Sequence, residues 1–439
     1  MKELTKGYPA KVIVLFALPI MFGNIFQQLY NITDSKIVSY FVNPEALGAV
    51  GATTVLTNTL IGFVIGLTQG FAISVARFFG AGDKKGVRKS VANMTVLTFM
   101  FAVPIAILGK VFIRQLLMLL NTPADVLSDS SDYAGIILMG MLFVSLYNMC
   151  SNILRAVGDS KTPLVCLVVG VVGNVGLDLL FICVFGLGIK GAAYATVISQ
   201  AVSGFSSLLF LLKKYPDIIP GKDEWKMGSG LGRDMLMAGL SMGMMGCIVN
   251  VGSIILQEAI NGFGTDILTA QTGARRLFDI MMVMVYTIGF SMTTYASQNM
   301  GAGRGDRVRQ GVKHAIIIDT AITTLLIIFC FIFGERLMGW IASTDNPGII
   351  SNGTMYLRIG VVLFYVLGPL FILRCTLQGL GHRIMPLVSS GLELFTKIGF
   401  ARIFVPMLGY FGVAITEPVS WVIMIIPLII SYALARKKI

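Results

Sequence analysis

The chain alternates long apolar stretches with short polar joints, and that pattern sets the expected structure before any single residue is considered. A helix needs ~20 apolar residues to cross the hydrocarbon of a bilayer. Runs of that length can be read at 11–35, 46–76, 90–116, 132–156, 163–185, 190–212, 234–262, 267–299, 312–342, 349–374, 384–408 and 411–435, so twelve transmembrane spans are predicted. The joints repeat. Gly80-Ala81-Gly82, followed by Val87-Arg88 and Val91, recurs 221 residues later as Gly301-Ala302-Gly303 with Val308-Arg309 and Val312. Leu154, Gly158 and Pro163-Leu164-Val165 return 223 residues on as Leu377, Gly381 and Pro386-Leu387-Val388, and Gly188-x-x-Gly191-Ala192 is matched by Gly409-x-x-Gly412-Val413. So long a period indicates a duplicated domain, because solenoid repeats run to only ~20 to 50 residues.

The expected fold is an all-α integral membrane protein with twelve transmembrane helices in two homologous six-helix lobes. The N-lobe covers 1–212 (spans 1–6), a polar cytoplasmic linker covers 213–233, and the C-lobe covers 234–439 (spans 7–12). An even number of spans per repeat makes the two halves parallel in topology, which is expected of a transporter whose substrate path lies between its halves.

Composition agrees with the membrane reading. Hydrophobic residues make up 55% and charged residues 13%, with a mean hydropathy of +0.82, whereas a soluble protein carries ~25% charged residues. The net charge of +12 needs no nucleic-acid partner. Of the 34 Lys and Arg, 24 are assigned to the two termini and the loops after even-numbered spans, and positively charged loops stay cytoplasmic. Both termini are therefore expected inside. The first apolar run is as long as a full span, so no cleavable signal peptide is expected. The six cysteines lie in or at the ends of apolar spans without metal-type spacing and read as small hydrophobes.

Enzyme chemistry finds no support. Gly239-Leu240-Ser241-Met242-Gly243 fits G-x-S-x-G, but it falls inside a membrane span, where the strand-turn-helix context of a nucleophile elbow is missing. The two histidines, His314 and His382, fall at span ends, and no nucleotide-binding P-loop is visible.

Polar residues inside the spans carry the functional signal. Asn24, Gln27, Asn31 and Asp34 in span 1 fall on one helical face. A carboxylate deep in a bilayer costs at least ~2.5 to 3.5 kcal/mol, so Asp34 is either functional or solvated at the outer interface beside Lys36. Span 5 carries Asn174 and Asp178 one turn apart, with Gly170 and Gly173 permitting close helix approach. Span 6 adds Thr196, Ser199, Gln200 and Ser203. These groups suit either a proton or a hard cation such as Na⁺. In the second half, Glu393 and Lys397 in span 11 and Glu417 in span 12 read as a charge cluster, more simply a neutralised structural one than a substrate contact. Arg275 and Arg276 in span 8 are expected to snorkel outward. The Met-rich faces of spans 7 and 8 read as packing or as a deformable substrate surface.

Several segments together resemble one family. They are Pro19 fifteen residues before Asp34, Glu45-Ala46-Leu47-Gly48-Ala49-Val50-Gly51, Gly80-Ala81-Gly82-Asp83, Leu154-Arg155-Ala156-Val157-Gly158-Asp159-Ser160-Lys161-Thr162-Pro163, Gly188-Ile189-Lys190-Gly191-Ala192-Ala193-Tyr194-Ala195-Thr196, and Gln298-Asn299-Met300-Gly301-Ala302-Gly303-Arg304. Over essentially its whole length the chain resembles the multidrug and toxic compound extrusion family of cation-coupled efflux antiporters. The resemblance implies a cation or proton site at Asp34, Asn174, Asp178 and Thr196, able to take Na⁺ if that is the coupling ion. It also implies a hinge at Pro19, where span 1 bends as the site is loaded. Asn24, Gln27, Asn31 and Gln200 are the expected substrate-cavity residues. One branch of the family adds acidic residues in spans 7 and 10. Here span 10 has no Asp or Glu and Glu258 lies near the outer end of span 7, so coupling through the C-lobe is not expected.

The expected function is H⁺- or Na⁺-driven export of lipophilic, often cationic, compounds across a bacterial inner membrane by alternating access. The alternative is a flippase for lipid-linked precursors. No cofactor beyond the coupling ion and no nucleic acid is expected, and no obligatory protein partner; the expected form is a monomer surrounded by lipid.

Overall fold

Apolar runs fold into helices here because a bilayer leaves backbone N–H and C=O groups no partners but one another. The computed structural model describes residues 3–41, 44–120, 122–226 and 229–439, apart from the side chains of 35, 39, 44–50, 52 and 229. The side chains of the 45–50 motif therefore lie outside the described residues. The first repeat consists of α1 (Pro9–Phe41), α2 (Pro44–Gly80), α3 (Lys84–Leu119), α4 (Ala124–Ala156), α5 (Lys161–Asp178) and α6 (Gly188–Lys214). The second consists of α7 (Ser229–Asn261), α8 (Thr265–Gly301), α9 (Gly305–Ala342), α10 (Pro347–Val362), α11 (Phe364–Leu380), α12 (Ile384–Gly399), the short α13 (Val405–Leu408) and α14 (Tyr410–Arg436). Among the described residues eleven helices are long and apolar enough to cross a membrane, or twelve with α10 and α11, bent by 48° at their junction, taken as one span. Among the described residues there is no strand.

The duplication extends to backbone detail. α5 runs into a π-helical turn at Leu179–Val184, and α12 runs into another at Phe400–Phe404. Such turns are rare and are found often at functional sites. The glycines of the sequence repeat take positive φ in matched pairs, after a helix at Gly82 and Gly303 (72° and 69°) and at Gly158 and Gly381 (84° and 94°), and where the next helix begins at Gly188 and Gly409 (55° and 61°). These positions need glycine because a Cβ is strained there.

By contacts, Leu18–Cys247 forms the bulk of one compact unit, while Leu4–Ala17 joins Ile248–Ile439 in the other. α1 thus changes unit just before Pro19. In the first unit, α2 and α7 meet through glycines: a Cβ on Gly66 would lie 2.7 Å from the Gly243 Cα, and one on Gly70 would lie 2.5 Å from the Ala238 carbonyl. Small residues bring membrane helices this close. In the second unit Phe278, Tyr356, Phe364 and Trp421 cluster with ring centroids 5.0 to 6.2 Å apart. Large apolar side chains point outward, among them Ile107, Leu108 and Val111 on α3 and Leu325, Ile328 and Ile332 on α9. Four of the cysteines are buried, as small hydrophobes would be; Cys183 instead faces outward and Cys247 is half-buried.

The joint between α4 and α5 is held by Asp159, which accepts from Lys214 Nζ (2.8 Å), Thr162 Oγ1 (2.7 Å) and Tyr215 OH (2.8 Å). Burial works to raise its pKa, but these donors outweigh it and hold the carboxyl down at about 2. A depressed carboxyl stabilises the fold above its unfolded pKa of ~3.9 and ceases to do so as pH falls through the folded value. Thermal unfolding of Asp159→Asn should therefore fall below that of wild type by a constant margin from neutrality down to about pH 5. The margin should close between about pH 4 and about pH 2.

Candidate cation site

In the first unit, α1, α5 and α6 bring the sequence candidates together. Asp178 is the last α-helical residue before the π turn and is 0% exposed; Asn174, one turn earlier, is 1% exposed. The Asp34 carboxyl reaches across from α1 into hydrogen-bonding contact with that of Asp178. Two carboxyls that meet in an apolar bundle can share one proton and so avoid facing each other as two like charges. Asn174 donates to Asp178 Oδ2 (2.7 Å) and accepts from the Thr196 backbone N–H (3.2 Å). The Thr196 hydroxyl turns the other way, to Tyr30 OH at 3.2 Å. A continuous polar chain runs from Tyr30 through Thr196, Asn174 and Asp178 to Asp34.

Tyr30 and Tyr133, both close enough to feel the two aspartates, were not anticipated. Tyr30 lies one turn before Asp34, at the edge of the polar stripe, and that spacing could have revealed it. Tyr133, on α4, packs against the buried cluster of Ile37, Val38, Ile182, Ile189 and Ala192 and has no comparable signal. Gly170 admits Ser203: a Cβ on the glycine would collide with the serine hydroxyl. Asn24, Gln27 and Gln200 are half-buried and Asn31 is exposed, a more open polar face than Asp178. Pro19 lies within an otherwise helical α1, where its missing N–H weakens the helix ladder.

The second unit holds the predicted charge cluster. Lys397, 2% exposed, places Nζ 2.9 Å from Glu393 Oε1 and 3.6 Å from Glu417 Oε1. Arg275 does not point outward as expected. Its Nη1 lies 2.8 Å from Glu417 Oε1 and its Nε 2.9 Å from Asp279 Oδ1, because two carboxylates within the bundle give the guanidinium charge-assisted hydrogen bonds that it need not seek at the interface. Arg276 is exposed, as a snorkelling residue would be. Tyr356 adds a hydroxyl 3.4 Å from Glu417 Oε2.

Twelve apolar spans built as a duplicated bundle, with paired carboxyls inside one unit, describe a multi-pass membrane transporter. Comparison with known proteins is more specific. The MatE family model matches residues 19–180 and again 241–403, one match in each repeat, and the chain belongs to that family. It is 27% identical to the probable multidrug resistance protein YpnP of Bacillus subtilis, over 99% of this chain and 97% of that one. It is 26% identical to the probable multidrug resistance protein YoeA of the same organism, over 97% and 93%. A crystal structure of MATE in complex with MaL6 superposes over 100% of this chain and 99% of that one, with a TM-score of 0.92 and 25% identity.

Proposed function

We propose that this transporter is a cation-coupled antiporter exporting lipophilic, often cationic, compounds, with Asp34, Asn174, Asp178 and Thr196 as its coupling site and Asn24, Gln27, Asn31 and Gln200 in contact with substrate. The observation that carries this reading is the meeting of the Asp34 and Asp178 carboxyls. Two such groups can exchange one proton for one cationic substrate by charge alone, so loading of either ion disfavours the other. The names of the Bacillus relatives support a drug-like substrate. Of the two coupling ions, the direct carboxyl contact favours H⁺, since Na⁺ would have to part the pair and insert between its oxygens. Residence in a bacterial inner membrane as a lipid-surrounded monomer, with both termini inside, completes the proposal. A flippase of lipid-linked phosphates would call for unpaired basic side chains, whereas Arg275 and Lys397 are each bound to carboxylates.

The test is efflux of a fluorescent organic cation from proteoliposomes under a proton gradient and, separately, under a sodium gradient. Uphill transport under the proton gradient alone is expected. Transport driven by sodium alone would replace the ion, and no uphill transport under either would overturn antiport.

A further inference from the structure

Asp319 belongs to neither cluster described above. It lies in α9, the most apolar of the described spans, and it is 0% exposed. Neither carboxyl oxygen has a hydrogen-bond partner, and the same is true of the Thr323 hydroxyl, one turn further on and equally buried. The carboxyl rests against Gly368 of α11, where an added Cβ would collide with it. Gly368 follows closely on the 48° break between α10 and α11 and immediately precedes Pro369, which has no N–H to close on the Tyr365 carbonyl. The acid is particular to the second repeat: 221 residues earlier stands Thr98, also fully buried.

Charged groups of the neighbouring elements are engaged elsewhere: Arg275 of α8 with Asp279 and Glu417, and Arg358 of α10 with Glu335. α8, α10 and α11 pack on α9. On α11, the Tyr365 hydroxyl is bonded to Thr324 (2.8 Å), and Arg374 reaches to Ser389 Oγ (3.2 Å). α8 offers Tyr286 and α11 offers Cys375; on α9 itself Lys313 and His314 lie more than a turn away. An ionised carboxylate without a partner is very costly in such surroundings, and one carboxyl with one hydroxyl falls far short of the oxygen shell that a hard cation takes.

We propose that Asp319 is a second proton-binding site of this chain, apart from the Asp34 and Asp178 pair, and that its occupancy is linked to the packing of α9 against the bent pair α10 and α11. The neutral acid fits against Gly368. Loss of the proton puts a charge at that contact and favours an arrangement in which the two helices separate or water enters. Only a contribution of this proton to transport would rest on the antiport reading; the site and its linkage do not.

Infrared pH titration of the purified full chain tests this, in an Asp34→Asn/Asp178→Asn background that removes the other carboxyl pair. A C=O band of un-ionised carboxylic acid is expected at neutral pH and should disappear in Asp319→Asn; a band unchanged by that substitution overturns the site. Linkage is reciprocal, so Gly368→Ala, which crowds the carboxyl, should change the proton affinity read from that band by about tenfold. An unmoved midpoint overturns the linkage. The Gly368→Ala arm leaves Asp319 in place and so decides the linkage even where Asn at 319 prevents folding.

Discussion

Asp178→Asn should abolish gradient-driven transport while the protein still folds and reaches the membrane. Asn keeps the size of Asp and retains an oxygen for Asn174, which now donates at 2.7 Å to Oδ2. Its amide also offers Asp34 a permanent N–H donor, so the pair behaves as though always protonated. What is lost is the ability to release the proton, and with it the exchange that would power export. Exchange of one proton for one monovalent cation moves no net charge, so the pH difference drives it: one pH unit is worth ~1.4 kcal/mol and sustains a concentration ratio of about tenfold. In proteoliposomes that ratio should fall to about one in the variant, with yield and thermal unfolding close to wild type. Full uphill transport by Asp178→Asn would remove Asp178 from the coupling site.

The spans were legible because the bilayer rewards a simple pattern, and apolar length alone placed them, although α4 and α9 begin at Ala124 and Gly305, ahead of the expected 132 and 312. The bend between α10 and α11 was not. It falls at Leu363, inside the apolar run Val361-Val362-Leu363-Phe364, and the Gly360 and Pro369 that flank it do not single it out, since α1 and α3 also contain a proline without breaking. The π turns were equally silent, since Leu179–Val184 and Phe400–Phe404 read as ordinary apolar helix. Asp34, Asn174 and Asp178 stood out because a polar group is expensive in such a setting. Tyr30 and Tyr133 did not, because an aromatic ring belongs in an apolar bundle whatever its hydroxyl does. Arg275 was misread from its own helix alone; its partner Glu417 lies 142 residues away in sequence. Asp319 carried the same signal as Asp178, an acid deep in an apolar run, yet no neighbour on its helix face drew attention to it.

Lys397→Met should cost folding rather than selectivity. The ammonium is 2% exposed and lies between two carboxylates. Removing it affects the two unequally. Glu417 keeps Arg275 at 2.8 Å and the Tyr356 hydroxyl at 3.4 Å, whereas Glu393 loses the ion pair that joins it to Lys397 one turn away. Breaking one member of a buried pair costs about 3 to 5 kcal/mol, because the remaining charge stays buried without compensation. Yield and thermal stability should therefore drop sharply, and transport per folded molecule should change little. Lys397→Met combined with Glu393→Leu removes both charges and should recover most of the lost stability, giving a coupling energy that a double-mutant cycle can read. Normal stability in Lys397→Met together with selective loss of one exported compound would instead place the ammonium in contact with substrate.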